Sequence, residues 1–217
     1  MHRLTELYER LARDNYPPRD DGVEVVGAPP GKASAVVAFT QHHVIAVDVD
    51  ADAIRSRLDP HHLGAPMRPA FLAWLGEELG GEAGSLAVVM YAKGRGIGSN
   101  YLVARDDLGD HPRVRRALRW RDDVRLYGDP VGSSVLVLGR GLAGRMELTV
   151  EVPASQRRAS TGRRLVQAAL DQLPRNEPVF AQIAAGNAAS LRAFYNSGFR
   201  PIGAEVLFRT GEGPEDS

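Results

Sequence analysis

Leu4, Leu7, Tyr8 and Leu11 recur every three or four positions, which predicts an amphipathic helix over residues 5–13. Pro17 and Pro18 end it, because proline cannot continue the helical hydrogen-bond ladder. The pattern then changes to short apolar runs. Residues 23–26, 35–39 and 44–49 read as strands, with a Pro29-Pro30-Gly31 turn between the first two. A short helix is expected over 50–58. A stronger one is expected over 67–79, where Phe71, Leu72, Leu75 and Leu79 share a face and Gly80-Gly81 supplies the stop. Residues 86–91 suit a buried strand, and 93–100 form a glycine-rich loop. A helix over 114–120 leads to a strand over 124–127.

Past Asp129-Pro130 the periodicities sharpen. Strands are predicted over 134–138 and 146–152, flanking a turn at 139–144. Residues 161–173 form a helix with Leu165, Val166, Ala169, Leu170 and Leu173 as one apolar stripe. A strand over 179–184, a helix over 188–197 closed by Gly198, and a strand over 202–208 follow, ahead of a polar tail at 211–217. Strands and helices in this order predict an α/β (α+β) class with a mixed central sheet and flanking helices.

Composition narrows the chemistry. The 217 residues are 43% hydrophobic and 25% charged and contain no cysteine, so disulfides, thiolate metal sites and a cysteine nucleophile are excluded. Residues 1–18 lack the apolar core of an export signal, and nothing approaches a membrane-spanning run, so a cytoplasmic protein without a membrane partner is expected. Net charge is zero, so nucleic acid is not an expected partner. Lys32 and Lys93 are the only lysines; the other positive charges are arginines, many of them in runs at 113–125 and 157–164.

The chemistry-bearing segment runs from Glu147 to Phe199. A strand ends at Val152, a turn of small residues follows, and a helix begins within the run Arg157-Arg158-Ala159-Ser160-Thr161-Gly162-Arg163. A helix start of this kind aims backbone N–H groups and a positive dipole end at one point, which suits a pyrophosphate. A helix and a strand later comes Asn187-Ala-Ala-Ser190-Leu-Arg-Ala-Phe194-Tyr195-Asn-Ser-Gly198-Phe199.

Both segments resemble motifs of the GCN5-related N-acetyltransferase (GNAT) family. Arg157-x-x-Ser160-x-Gly162 is similar to the family's cofactor turn, with Ser160 in place of its first glycine. The Asn-opened helix with Tyr-x-x-Gly-Phe is similar to its later motif, and the two occur in the family order. The resemblance spans residues from about 134 to 208. It implies a GNAT acetyl-CoA-binding domain over 129–217, preceded by an α/β lobe over 1–128. Residues 44–120 repeat the later element order with longer connections, so the lobe is either a degenerate acetyltransferase-like copy or an unrelated α/β unit.

The resemblance further implies an N-acetyltransferase that uses acetyl-CoA as acyl donor and no metal. The strand ending at Val152 would splay from 179–184, with backbone groups of Val150 and Val152 pairing with the pantetheine arm. Arg157, Arg158, Ala159, Ser160, Thr161, Gly162 and Arg163 would hold the pyrophosphate, with Asn187, Ser190 and Tyr195 contributing from the later helix. Tyr195 is the candidate acid for the leaving thiolate, against the alternative of a core tyrosine. Glu147 is the candidate base, against the alternatives of a solvent-facing carboxylate and a water relay. The acceptor is a small-molecule or peptide amine that this segment does not select, and a homodimer is left open. A non-catalytic CoA-binding or interaction protein with the same fold is the competing reading.

Other signals carry less. His42 and His43 are adjacent in a strand and point to opposite faces, and His61-His62 lacks an acidic ligand pattern, so structural or solvated roles are expected. Gly94, Gly96 and Gly98 lack nucleotide-loop spacing and read as a flexible loop bordering the acceptor site. Asp122 and Asp123 interrupt the 113–125 arginine run, which reads as a solvated helix face.

Overall fold

The structure is a computed structural model that describes residues 1–31, 33–154 and 161–209. Six α-helices and ten strands are described, and all ten strands belong to one mixed sheet. They are β1 (Gly22–Val26), β2 (Ser34–Phe39), β3 (His42–Ala46), β4 (Ala87–Lys93), β5 (Val103–Ala104), β6 (Asp122–Gly128), β7 (Val135–Arg140), β8 (Met146–Glu151), β9 (Pro178–Ala184) and β10 (Arg200–Phe208). Their order across the sheet is β1-β3-β2-β10-β4-β9-β8-β7-β6-β5. β1 pairs β3 and β8 pairs β9 in parallel; every other neighbouring pair is antiparallel.

The helices are α1 (Arg3–Ala12), α2 (Ala51–Arg57), α3 (Pro69–Glu78), α4 (Pro112–Trp120), α5 (Thr161–Gln172) and α6 (Ala188–Tyr195). Alternation along the strands assigns each to a face. Val89 and Tyr91 of β4 pack with Leu4, Leu7 and Tyr8 of α1, whereas Met90 and Ala92 pack with Leu165, Ala169 and Leu173 of the α5 region. In β7, Val135 and Val137 meet Val114 and Ala117 of α4, while Leu136 and Leu138 turn toward α5. In β2, Val36 meets Ile54 of α2 and Leu75 of α3. So α1 and α4 cover one face, and α2, α3, α5 and α6 cover the other.

Most predicted elements are present, with shifted ends. The helix expected over 67–79 begins at Pro69, preceded by a 3-10 turn over Ala65–Met67, because proline has no N–H to donate and suits the first helical position. The strand expected to reach Val49 leaves the ladder after Ala46. Its neighbour β1 ends at Val26, whose carbonyl still accepts the Val47 N–H at 3.0 Å beyond the last residue pair, and Val47 and Val49 stay against the α2–α3 core. Burial outlasts pairing there. The short edge strand β5 has exposed residues and ends the apolar run Tyr101 to Ala104, outside the expected elements.

The glycine-rich segment 93–100 corrects its expected role. Gly94 N–H donates to Glu177 O at 2.8 Å, Arg95 N–H to Leu170 O at 2.7 Å and Gly96 N–H to Leu173 O at 2.9 Å. Ile97 and Gly98 both donate to Asp171 O. The segment therefore satisfies the carbonyls at the C-terminal end of α5, on the face opposite α4. A Cβ on Gly94 would overlap the Pro174 carbonyl oxygen, so the approach itself requires glycine.

Sheet continuity also bears on the expected division at residue 128. β10, from the second part, lies between β2 and β4 of the first part, and β4 pairs with all seven residues of β9.

Candidate functional site

The unit β8–α5–β9 is a parallel strand–helix–strand crossover, and crevices at the C-terminal ends of such strands are natural ligand sites. The ladder between β8 and β9 contains only Met146↔Val179 and Glu147↔Phe180. On their outer sides both strands stay paired along their length, β8 with β7 and β9 with β4. Leu148 to Val150 and Ala181 to Ala184 therefore continue without a ladder between them. The result is a wedge opened inside the sheet. Each facing edge can accept an extended chain as an added strand.

The predicted cofactor residues fall around the open end of this wedge in part. Val150 and Val152 lie on and just after β8, half buried against the α5-side core. A Cβ on Gly162 would stand 3.5 Å from Val152 Cγ2, so the first turn of α5 abuts the end of β8. Thr161 is buried and Arg163 is exposed. Arg157, Arg158, Ala159 and Ser160 lie outside the described residues. Asn187 caps α6 as expected, accepting from Ser190 N–H at 3.1 Å.

Tyr195 is 64% exposed, so it is not a core tyrosine; Phe194 fills that place, edge-on to Phe199 at 4.9 Å. Near the end of α6, Ser197 Oγ donates to Ala193 O at 2.8 Å and lies 3.4 Å from Arg163 O, which places this end of the helix beside the first turn of α5.

Glu147 is 2% exposed and sits in a network drawn from residues far apart in the chain. Arg145 Nε donates to Glu147 Oε1 at 3.0 Å, and Arg121 Nε pairs with Glu147 Oε2 at 2.9 Å. Leu142 N–H and Gln182 Nε2 also donate to Oε1. Arg145 reaches further, holding both oxygens of Glu205 at 2.6 and 2.8 Å and donating to the Tyr8 hydroxyl at 2.9 Å. Its guanidinium lies 5.0 Å from the centre of the Tyr8 ring and 5.3 Å from that of Phe180. Gly141 is required beside it, because a Cβ there would overlap the Glu147 carboxylate.

Burial pushes the Glu147 carboxyl up, but the Arg121 and Arg145 guanidiniums outweigh it and hold the group below the ordinary carboxylate range. A general base working near neutrality needs the opposite shift. Nor is Glu147 the solvent-facing carboxylate that was the alternative. Its geometry is that of a group that fixes its neighbours in place.

Above this network, on the α4 face, lies a cleft of about 760 Å³. Thr149 of β8, Gln182 and Ala184 of β9, and Glu205 and Leu207 of β10 form its floor; α4 and residues 80–87 form its walls. The arginine run contributes Arg113, Arg116 and Arg121 to the lining, which corrects its reading as a solvated face. The cue was the helical period itself. Val114 and Ala117 are buried, and Arg113 and Trp120 follow the same stripe toward the cleft.

His42 and His43 are buried in β3, whereas His61 and His62 are exposed. His42 is held at 2.9 Å by Asp20 and at 3.1 Å by Glu24, and burial together with His42 pulls the His43 imidazole down. Among the described residues no group of three metal-binding side chains occurs, and no helix is long and apolar enough to cross a membrane.

No protein-family model matches the chain, and no curated protein matches it. Among solved structures it is similar to a GNAT-family protein from Novosphingobium aromaticivorans, at 19% identity and a TM-score of 0.45. The match covers 59% of this chain and 66% of that one.

Proposed function

We propose that the protein is an acetyl-CoA-dependent N-acetyltransferase of the GNAT type, acting on an amine. The observation that carries this reading is the wedge between β8 and β9, which opens after two residue pairs at the end from which α5 departs. An extended pantetheine arm fits such a wedge, with backbone groups of Val150 and Val152 as its partners. The first turn of α5, with Thr161, Gly162 and Arg163, would offer backbone N–H groups and positive charge to a pyrophosphate. Arg157, Arg158, Ala159 and Ser160 of the preceding turn, and Asn187 and Ser190 of α6, complete the expected contact set.

In the transfer, the amine nitrogen attacks the thioester carbonyl, a C–N bond forms and the C–S bond breaks. A backbone N–H of β8 stabilises the charge that builds on the carbonyl oxygen. Tyr195 protonates the departing thiolate, and the amine proton leaves through water, since Glu147 is committed to its arginines. The wedge and cleft mainly hold the reactants in attacking geometry.

Two measurements test this. Acetyl-CoA at about a hundred times its Kd should raise apparent stability by about 2.7 kcal/mol in a thermal-shift titration. Tyr195→Phe should lower kcat by about 100-fold or more while the thermal shift persists. No shift at millimolar acetyl-CoA sinks the proposal. A shift without turnover on a broad amine panel would mark a CoA-binding module instead.

A further inference from the structure

We infer that the cleft beside α4 is the acceptor site and that its acceptor is an anionic amine, one bearing a carboxylate or phosphate besides its primary amine. The inference rests on the acyl-donor reading above. Thr149, Gln182 and Ala184 belong to the parts of β8 and β9 beyond the end of their ladder, so the wedge and the cleft share these residues. An acyl group carried into the wedge arrives at the floor of the cleft.

The cleft's chemistry selects the other reactant. Four arginines line it, Arg113, Arg116, Arg121 and Arg209, against two glutamates, with Arg113 paired to Glu151 at 2.7 Å outside the lining. Of those two, Glu205 is fully buried and held through both oxygens by Arg145, which leaves Glu82 at the exposed rim. Two buried donors in the lining, Trp120 Nε1 and Arg121 Nη1, have no hydrogen-bond partner among the described residues. Arg121 is locked on its other sides, by Glu147 at Nε and by Thr149 Oγ1 at Nη2, both at 2.9 Å, so its third nitrogen is fixed in direction.

Buried donors without acceptors are costly, and a carboxylate or phosphate offers only acceptors to meet them. A second ammonium would bring only donors and would face the arginines' charge. The same field lowers the pKa of the reacting ammonium, which favours the neutral amine that attacks. The arrangement thus promotes deprotonation without Glu147, which is committed to its arginines.

The test is steady-state transfer from acetyl-CoA to glutamate, β-alanine and aminoethyl phosphate, against agmatine and phenethylamine. Charge-assisted hydrogen bonds of this kind correspond to about 10- to 100-fold each, so the carboxylate or phosphate amines should lead by at least that in kcat/KM. Trp120→Phe, which removes the indole N–H along with its five-membered ring, and Arg116→Gln should each raise KM for the anionic amines about 10-fold, a larger rise than for phenethylamine, with acetyl-CoA binding unchanged. Glutarate, as an anion without the amine, should raise the melting temperature, and Trp120→Phe should reduce the shift. An acetyl-CoA shift with agmatine or phenethylamine turned over as well as the anionic amines overturns the inference and leaves the acyl-donor reading standing. A glutarate shift without an acetyl-CoA shift overturns the acyl-donor reading, and with it the acceptor role of the cleft.

Discussion

Arg145 is the residue on which two buried carboxylates depend, since it donates to Glu147 through Nε and to Glu205 through both terminal nitrogens. Removing one member of such a set leaves uncompensated charge in the interior, at a cost of about 3–5 kcal/mol. Arg145→Met, which keeps much of the side chain's bulk, should lower the urea unfolding free energy by that order. A loss below about 1 kcal/mol would show that the pairs add little. Glu147 gives the network a pH signature. Its folded pKa lies below the ordinary value of 4.5, so the unfolded chain binds the proton more readily. The stability it contributes is present above about pH 4.5 and is lost as pH falls through the lower, folded pKa. Glu147→Gln should flatten the acid limb of the unfolding free energy below about pH 4.5. An unchanged limb would refute the assignment. Little of this network was legible beforehand. The alternation around Glu147 places it on one face of a strand, but Glu205 lies on β10 and Tyr8 on α1, and residues so distant in sequence meet only through the sheet order.

At the scale of elements, local pattern carried most of the reading. α5, described from Thr161, carries the expected apolar stripe of Leu165, Val166, Ala169, Leu170 and Leu173, and α6 begins behind its Asn187 cap. Errors gathered where one element's end depends on another, as at Val47, which is buried beyond the end of the β1–β3 ladder. The segment 93–100 is the sharpest case. Gly94, Gly96 and Gly98 read as flexibility in the sequence, whereas the first two approach the backbone at Leu173, Pro174 and Arg175 too closely for a side chain. Gly94→Ala should therefore cost about 1–3 kcal/mol, the range for an overpacked site. Hydrogen exchange should speed up at the amides of Arg95 and Gly96, which bond to the end of α5. A neutral substitution would mean that the segment is loosely docked.

For the whole molecule, the sheet order decides how the two parts of the chain depend on each other. The motifs at 147–199 are complete in themselves as sequence, which is why a boundary at residue 128 is natural to expect. The structure distributes their support differently. β9 forms one wall of the wedge and is held on its other side by β4 through seven residue pairs. Met90 and Ala92 of β4 also belong to the core packed under α5. Without residues 1–128, β9 becomes an open edge, β10 loses both of its neighbours, and part of that core is exposed. The fragment 129–217 should therefore show no cooperative unfolding transition and no acetyl-CoA-dependent thermal shift. The full chain should unfold in one transition, with fluorescence of Trp74 on α3 and Trp120 on α4 reporting the same midpoint as far-UV circular dichroism. A folded fragment that binds acetyl-CoA would instead make the second part an autonomous domain. The wedge would then owe its opening to β8 and β9 alone, and not to the strands that clamp them from either side.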